Sequence, residues 1–300
     1  MILPEVMLTT RANQHWQFSG LDSLEKCLNK KHFKSYPYTF DYVYNSRGFR
    51  DTEWPSNINQ LKTAIWCIGD SFTLGLGCPI THTWPNILQT LTGRRIINVS
   101  LDGASNQWIS KKTVNILKQI QPECVVIHWS YIHRREISLQ EIWDKEADRS
   151  WRELYAMFRE PGWPDCDTLA ESKNLPIYMQ EKIAVHWVDP YYTDEQRRRT
   201  DLYSTAEEDL ENFKTCIDKV IDVNDQTKII HSVIPNFSPI VNSIIPNFSQ
   251  KHSANIFKKV SQEMKINVIP HFNQLDFGRD FHHYDIKTAT YFVNQLINLI

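Results

Sequence analysis

Residues 63–77 read TAIWCIGDSFTLGLG, and the fold turns on them. The stretch TAIWCIG (63–69) is a continuous apolar run bounded by turn-forming residues. That is the pattern of a central parallel strand, buried on both faces. An acid and a hydroxyl, Asp70 and Ser71, follow at its C-terminal end, where open α/β sheets bind ligands. Ser71 is a nucleophile there only if a base takes its proton. A helix starting just after it would aim backbone N–H groups at a developing negative charge. The plainer alternative is a helix cap supplied by Asp70 or Ser71. The stretch alone leaves both readings open.

Downstream, apolar runs and helical spacings alternate. HTWPNILQTLTG (82–93) has helical spacing and a glycine stop, RIINVS (95–100) reads as a second strand, and ASNQWISKKTVNILKQIQP (104–122) as a helix ended by proline. ECVVIHWS (123–130) is a third strand. The alternation resumes with a helix at 206–224, strands at 227–236 (TKIIHSVIPN) and 266–270 (INVIP), and helices at 253–264 and 286–300. Alternation at this interval predicts βαβ units on a parallel sheet. Residues 131–205 break the rhythm, with Pro161, Pro164, Pro176 and Pro190 interrupting any long helix. Trp143, Trp151, Trp163, Trp187 and Tyr191 fall in this stretch, which reads as an insertion after the third strand, over the ligand crevice. Residues 1–60 are aromatic, polar and aperiodic; they read as an extension packed on the core domain of 61–300, because Trp16, Phe18, Tyr36, Tyr38, Phe40, Tyr42 and Phe49 offer surface to bury. The near-repeat VIPNFS (233–238) and IIPNFS (244–249) is too short for a solenoid.

Composition narrows the function classes. The chain has 300 residues, 41% hydrophobic and 23% charged, with a formal net charge of −2, ordinary for a globular protein with a sizeable core. RRR at 197–199 is flanked by Asp194, Glu195 and Asp201 and reads as a solvated face, so nucleic acid is not the expected partner. Six cysteines at 27, 67, 78, 124, 166 and 216 show no CxxC and no zinc spacing. No cofactor or metal is expected. No apolar stretch suits a signal peptide or a membrane span, so the expectation is a soluble cytoplasmic protein with no membrane partner.

Two further stretches bear on Ser71. LDFGRDFHHYDIKT (275–288) places Asp280 three residues before His283, just ahead of the terminal helix. At that spacing a carboxylate can reach an imidazole, orient it and stabilise its charged form, as a serine nucleophile requires. Taken alone, the same residues read as a polar helix start with surface histidines. NVSLDGASN (98–106) puts Gly103 and Asn106 after the second strand, where a glycine lets backbone approach a ligand and Ser105 can cap a helix. The three strand ends can converge on one crevice. A P-loop or dinucleotide fingerprint fits GDSFTLGLG poorly.

Together these motifs resemble the SGNH hydrolases, the GDSL-type esterases and lipases. GDSFTLGLG (69–77) is similar to the family's nucleophile motif, NVSLDGASN to its second motif, and RDFHHYDIKT (279–288) to its final Asp-x-x-His motif. YNSRGFRD (44–51) is similar to a lead-in found in one branch. The resemblance implies a three-layer α/β/α, flavodoxin-like fold with a five-stranded, mostly parallel sheet. It implies Ser71 as nucleophile, His283 as general base, Asp280 as orienting acid, and backbone N–H groups of Ser71 and Gly103 as oxyanion donors, with Asp70 and Asn106 supporting. One element departs from the family. The third motif's asparagine is absent from HWSYIHRRE (128–136), where Ser130 and Arg134 are the candidate replacements and His128 and His133 stand near. Losing one such donor typically costs ~100–1000-fold in rate. The implied activity is hydrolysis of an O-ester, an O-acetylated carbohydrate among the candidates. Acyl transfer by the same residues and a non-catalytic carbohydrate-binding module are the alternatives.

Overall fold

Four strands pair in parallel: β1 (Ile65–Gly69), β2 (Ile96–Ser100), β3 (Cys124–Trp129) and β4 (Lys228–Val233). Their spatial order is β2-β1-β3-β4, and the register sets Gly69 beside both Ser100 and His128. Every residue of β1, β2 and β3 is buried, which is why these runs carry no polar alternation. The computed structural model describes residues 7–19, 22–23, 31–132, 134, 163–166, 168, 171–180, 206–235 and 248–300. His133, Cys27, Trp143, Trp151, Trp187, Tyr191, the arginines at 197–199 and most of both the insertion and the short repeat lie outside them.

The fifth strand is shorter than INVIP suggests. Val268 makes a single parallel bridge with His231, with backbone bonds from His231 N to Asn267 O (2.8 Å) and from Ile269 N to His231 O (2.9 Å). Pro270 follows at once and has no N–H to extend the ladder. With this edge counted, the order is the flavodoxin-like 2-1-3-4-5.

Helices cover both faces because parallel crossovers are right-handed. After α1 (Ile58–Thr63) and the one-turn α2 (Ser71–Leu74), α3 (Trp84–Thr92) links β1 outward to β2. The next helix, α4 (Asn106–Gln119), returns across β1 to β3 and so lies on the other face. Helices α5 (Ala206–Ile221) and α6 (Phe248–Met264) continue in that direction, and α7 (Ile286–Leu296) closes the chain's last turn. The packing follows: α4 against α5, α5 against α6, and α3 against α7. The result is a three-layer α/β/α architecture. Helix α7 is started by two acids. Asp285 accepts from Ile286 N (2.8 Å), and Asp276 accepts from Lys287 N (2.7 Å), Thr288 N (3.0 Å) and Thr288 Oγ1 (2.6 Å). These acceptors satisfy N–H groups that a helix start leaves open.

Parts of the amino-terminal segment pack on the core. His15–Trp16 pairs antiparallel with Tyr42–Val43. Phe49 is buried in the core and stacks on Trp54 at 5.0 Å. Buried Arg50 donates to the carbonyls of Leu74 (3.3 Å) and Cys78 (2.9 Å), and to that of Gly75, fixing the loop behind Ser71.

Ile127 is fully buried in β3, flanked by two paired strands. Truncation of Ile127 to alanine is expected to lower the unfolding free energy by about 2–5 kcal/mol, because the rigid sheet cannot collapse onto the gap. Denaturant unfolding should show a lower midpoint with an unchanged slope.

Candidate active site

The chain leaves β1 toward β2 and leaves β3 toward β4, so a crevice opens at the C-terminal ends of β1 and β3. Asp70 has extended backbone and caps α2, its side chain accepting from Phe72 N at 3.0 Å. Ser71 is the first residue of that turn and is buried.

Residues 276–285 arrive at the same place from the far end of the chain. His283 Nε2 lies 2.8 Å from Ser71 Oγ, and His283 Nδ1 lies 2.5 Å from Asp280 Oδ2. The other Asp280 oxygen accepts the backbone N–H groups of His282 (3.0 Å) and His283 (3.1 Å). A carboxylate can only accept, so Nδ1 carries the proton toward Asp280 and Nε2 is left to accept from the serine hydroxyl.

Both members of the pair are buried. Burial pushes the Asp280 carboxyl upward, but His283 and the N–H donors override it and hold the group well below the usual carboxylate range. Burial likewise opposes charge on His283, yet the Asp280 carboxylate, with smaller help from Asp102 and Asp70, raises the imidazole above its ordinary value. The carboxylate therefore stabilises the charged form of the imidazole against its burial.

The third strand end is built around Asp70. Ser130 Oγ donates to Asp70 Oδ2 at 2.6 Å, and Arg134 Nη1 donates to the same oxygen at 3.2 Å and to Ser130 Oγ at 2.9 Å. Burial raises the Asp70 carboxyl, while Arg134 and Ser130 pull it back toward the ionised form. Asn106 ties this strand end to α4, accepting from Ser130 N (3.0 Å) and donating to Tyr131 O (3.0 Å). Gly103 has φ +74° between β2 and α4, and Ser105 caps α4 through Trp108 N (3.0 Å). His128 points into the sheet core, where its Nδ1 meets Ser232 Oγ at 2.8 Å. Burial pushes its pKa down to about 3, so it stays neutral.

Several further residues shape this site. Gly77 has φ +78°, and a Cβ there would stand 2.8 Å from Asp280 Oδ1, so the second glycine of LGLG makes room for the acid. Asp102, one residue before Gly103, bears on His283 and has Arg11 at 3.9 Å. Asp22, Tyr42 and Arg279 bind the acid-bearing loop to the amino-terminal segment. Gly77 lies within GDSFTLGLG, Asp102 within NVSLDGASN and Arg279 within RDFHHYDIKT, as Arg50 does within YNSRGFRD, whereas Asp22 and Tyr42 fall outside every motif. Among the described residues, no group of three or more His, Cys, Asp and Glu side chains is arranged to hold a metal ion, and no helix is long and apolar enough to cross a membrane.

Similar solved structures include TesA (12% identity, 79% of this chain and 97% of that chain, TM-score 0.45). Others are Est24, a carbohydrate acetylesterase from Sinorhizobium meliloti (12% identity, 80% and 100% covered, TM-score 0.44), and a family two carbohydrate esterase from Clostridium thermocellum in complex with cellohexaose (10% identity, 83% and 65% covered, TM-score 0.44). No family model matches the sequence, and no curated protein does.

The charge balance at His283 has a direct readout. In an NMR titration its imidazole should change protonation above the ordinary histidine value of 6.5. The Asp280→Asn variant removes the countercharge and leaves burial dominant, so its midpoint should fall below that value. An unchanged midpoint in the variant would show that Asp280 does not set the charge of His283.

Proposed function

We propose that the protein is a serine esterase or acylhydrolase of the SGNH type, acting on O-esters. The observation that carries this reading is the unbroken relay from Ser71 Oγ to His283 Nε2 (2.8 Å) and from His283 Nδ1 to Asp280 (2.5 Å). It joins residues 212 apart in sequence at the mouth of a parallel sheet.

In this reading Ser71 Oγ attacks the ester carbonyl carbon as its proton passes to His283 Nε2. Asp280 holds the imidazolium in place. The backbone N–H groups of Ser71 and Gly103 receive the oxyanion. The C–O bond to the alcohol then breaks, and Nε2 returns the proton to the departing oxygen. Water, deprotonated by the same nitrogen, cleaves the acyl-serine, releases the acid and restores the Ser71 hydroxyl. A hydroxyl acceptor in place of water gives acyl transfer by the same steps.

The absent asparagine is handled indirectly in this scheme. Ser130 and Arg134 both engage Asp70, and a carboxylate beside the nucleophile would otherwise repel a developing oxyanion. Their place is to neutralise that charge, with Asn106 holding Ser130 in register. The motif resemblance favours an O-acetylated carbohydrate as substrate, with no cofactor required.

The missing asparagine is also the observation behind a second reading, a non-catalytic carbohydrate-binding module. One comparison separates the two. Purified protein should hydrolyse a short-chain aryl ester and be labelled at Ser71 by a fluorophosphonate, and Ser71→Ala should lose at least ~1,000-fold of the hydrolysis. Hydrolysis that survives the substitution excludes Ser71 as nucleophile, and wild-type protein that neither turns over nor labels favours the binding module.

A further inference from the structure

We infer that Asp22 and Arg279 are positioning residues for the reaction, through which the amino-terminal segment sets the Asp280–His283 loop against Ser71. The inference rests on the esterase reading for its consequence in rate, but its geometry stands apart from that reading.

The loop bearing Asp280 and His283 needs external support. It has no helix or strand between Asp276 and Asp285, and Phe281, a bulky residue, sits at φ +58°. Such a conformation is strained for a bulky side chain and persists only where the surroundings over-determine it. Much of the surrounding contact comes from the other end of the chain. His32 Nε2 meets Gly278 O at 2.8 Å, and its ring lies 4.9 Å from Phe281.

The strongest contact is a ring of hydrogen bonds. Arg279 donates from Nε to Asp22 Oδ1 (2.9 Å) and from Nη2 to Asp22 Oδ2 (2.7 Å), a two-pronged fork onto one carboxylate. The same Asp22 oxygen accepts from Tyr42 Oη at 2.6 Å. Tyr42 Oη accepts from Gly77 N at 2.8 Å, and Gly77 O accepts from Arg279 N at 2.6 Å. The circuit therefore runs from the nucleophile's loop through Tyr42 and Asp22 to Arg279, and back to the nucleophile's loop. Asp280 is the next residue, packed where Gly77 has no side chain.

Asp22 is fully buried, and the guanidinium it holds lies over the ring of Phe40 at 4.1 Å. A buried, bidentate, aromatic-faced pair is held in one geometry, unlike a surface ion pair. It also engages the positive charge adjacent to Asp280, leaving that carboxylate to His283. Asp70 and Asp102 on the neighbouring loops, and the His282 ring at 4.7 Å, complete the groups around His283.

The test compares full-length wild type, Asp22→Asn and Asp22→Glu. Two quantities are read: the pH dependence of fluorophosphonate labelling at Ser71, and the NMR titration midpoint of His283, assigned against His283→Gln. With Asp22→Asn, labelling should slow ~10–100-fold, the scale of a small misplacement of catalytic groups. Its acid limb and the His283 midpoint should both move to lower pH as Asp280 draws away. Asp22→Glu should recover part of both. If Asp22→Asn labels at the wild-type rate with an unmoved midpoint, or loses only folded fraction by thermal melting, the positioning role is wrong. If wild type fails to label while Asp22→Asn still lowers the His283 midpoint, the positioning stands and the esterase reading falls. Should Asp22→Asn not fold, Tyr42→Phe removes one link of the ring, and the same two readouts decide.

Discussion

A carboxylate buried away from water must be met by donors, and Asp280 imposes that condition on the structure around it. One oxygen takes the His283 imidazole and the other takes two backbone N–H groups. Meeting both demands fixes the loop from 276 to 285 in a conformation that includes a left-handed Phe281. It also explains why a glycine stands at 77, since any side chain there would occupy the carboxylate's place. The position of His283, and through it the environment of the Ser71 hydroxyl, follows from this one buried charge.

A second buried carboxylate, Asp70, adjoins the serine in sequence under the same rule, with a different solution. Asp70 caps the turn that presents Ser71 and is satisfied by Phe72 N, Ser130 and Arg134. The two acids divide the work. Asp280 is paired with a titratable imidazole, whose charged form it stabilises. Asp70 is paired with a guanidinium and a hydroxyl, so its charge is neutralised in place. Removing either set of donors would leave a buried ion without a partner, a cost that a surface ion pair does not carry.

Much of the sheet could be read from the chain alone, because strands covered on both faces must be apolar throughout. TAIWCIG, RIINVS and ECVVIHWS satisfy that condition, and each forms a strand at its expected place. INVIP was less informative, because its pairing is limited by Pro270 and by its position at the edge. The site was legible where spacing is local: Asp280 and His283 are three apart, and the capping role open to Asp70 follows from the residues after it. Asp22 was not legible, since a single acid in an aromatic, aperiodic stretch gives no periodicity and no motif.

The sequence by itself determined the parallel α/β class, the strand ends that carry the polar motifs, and the local pairs within GDSFTLGLG and RDFHH. Those are set by burial and by short-range reach, and both are written in the order of residues. Only the tertiary structure decided that Ser130 and Arg134 turn to Asp70, and that Arg279 turns to Asp22 and away from Asp280. The reason is that a buried charge selects its partner by three-dimensional proximity and by competition among donors. Residue order constrains neither across 257 positions of chain.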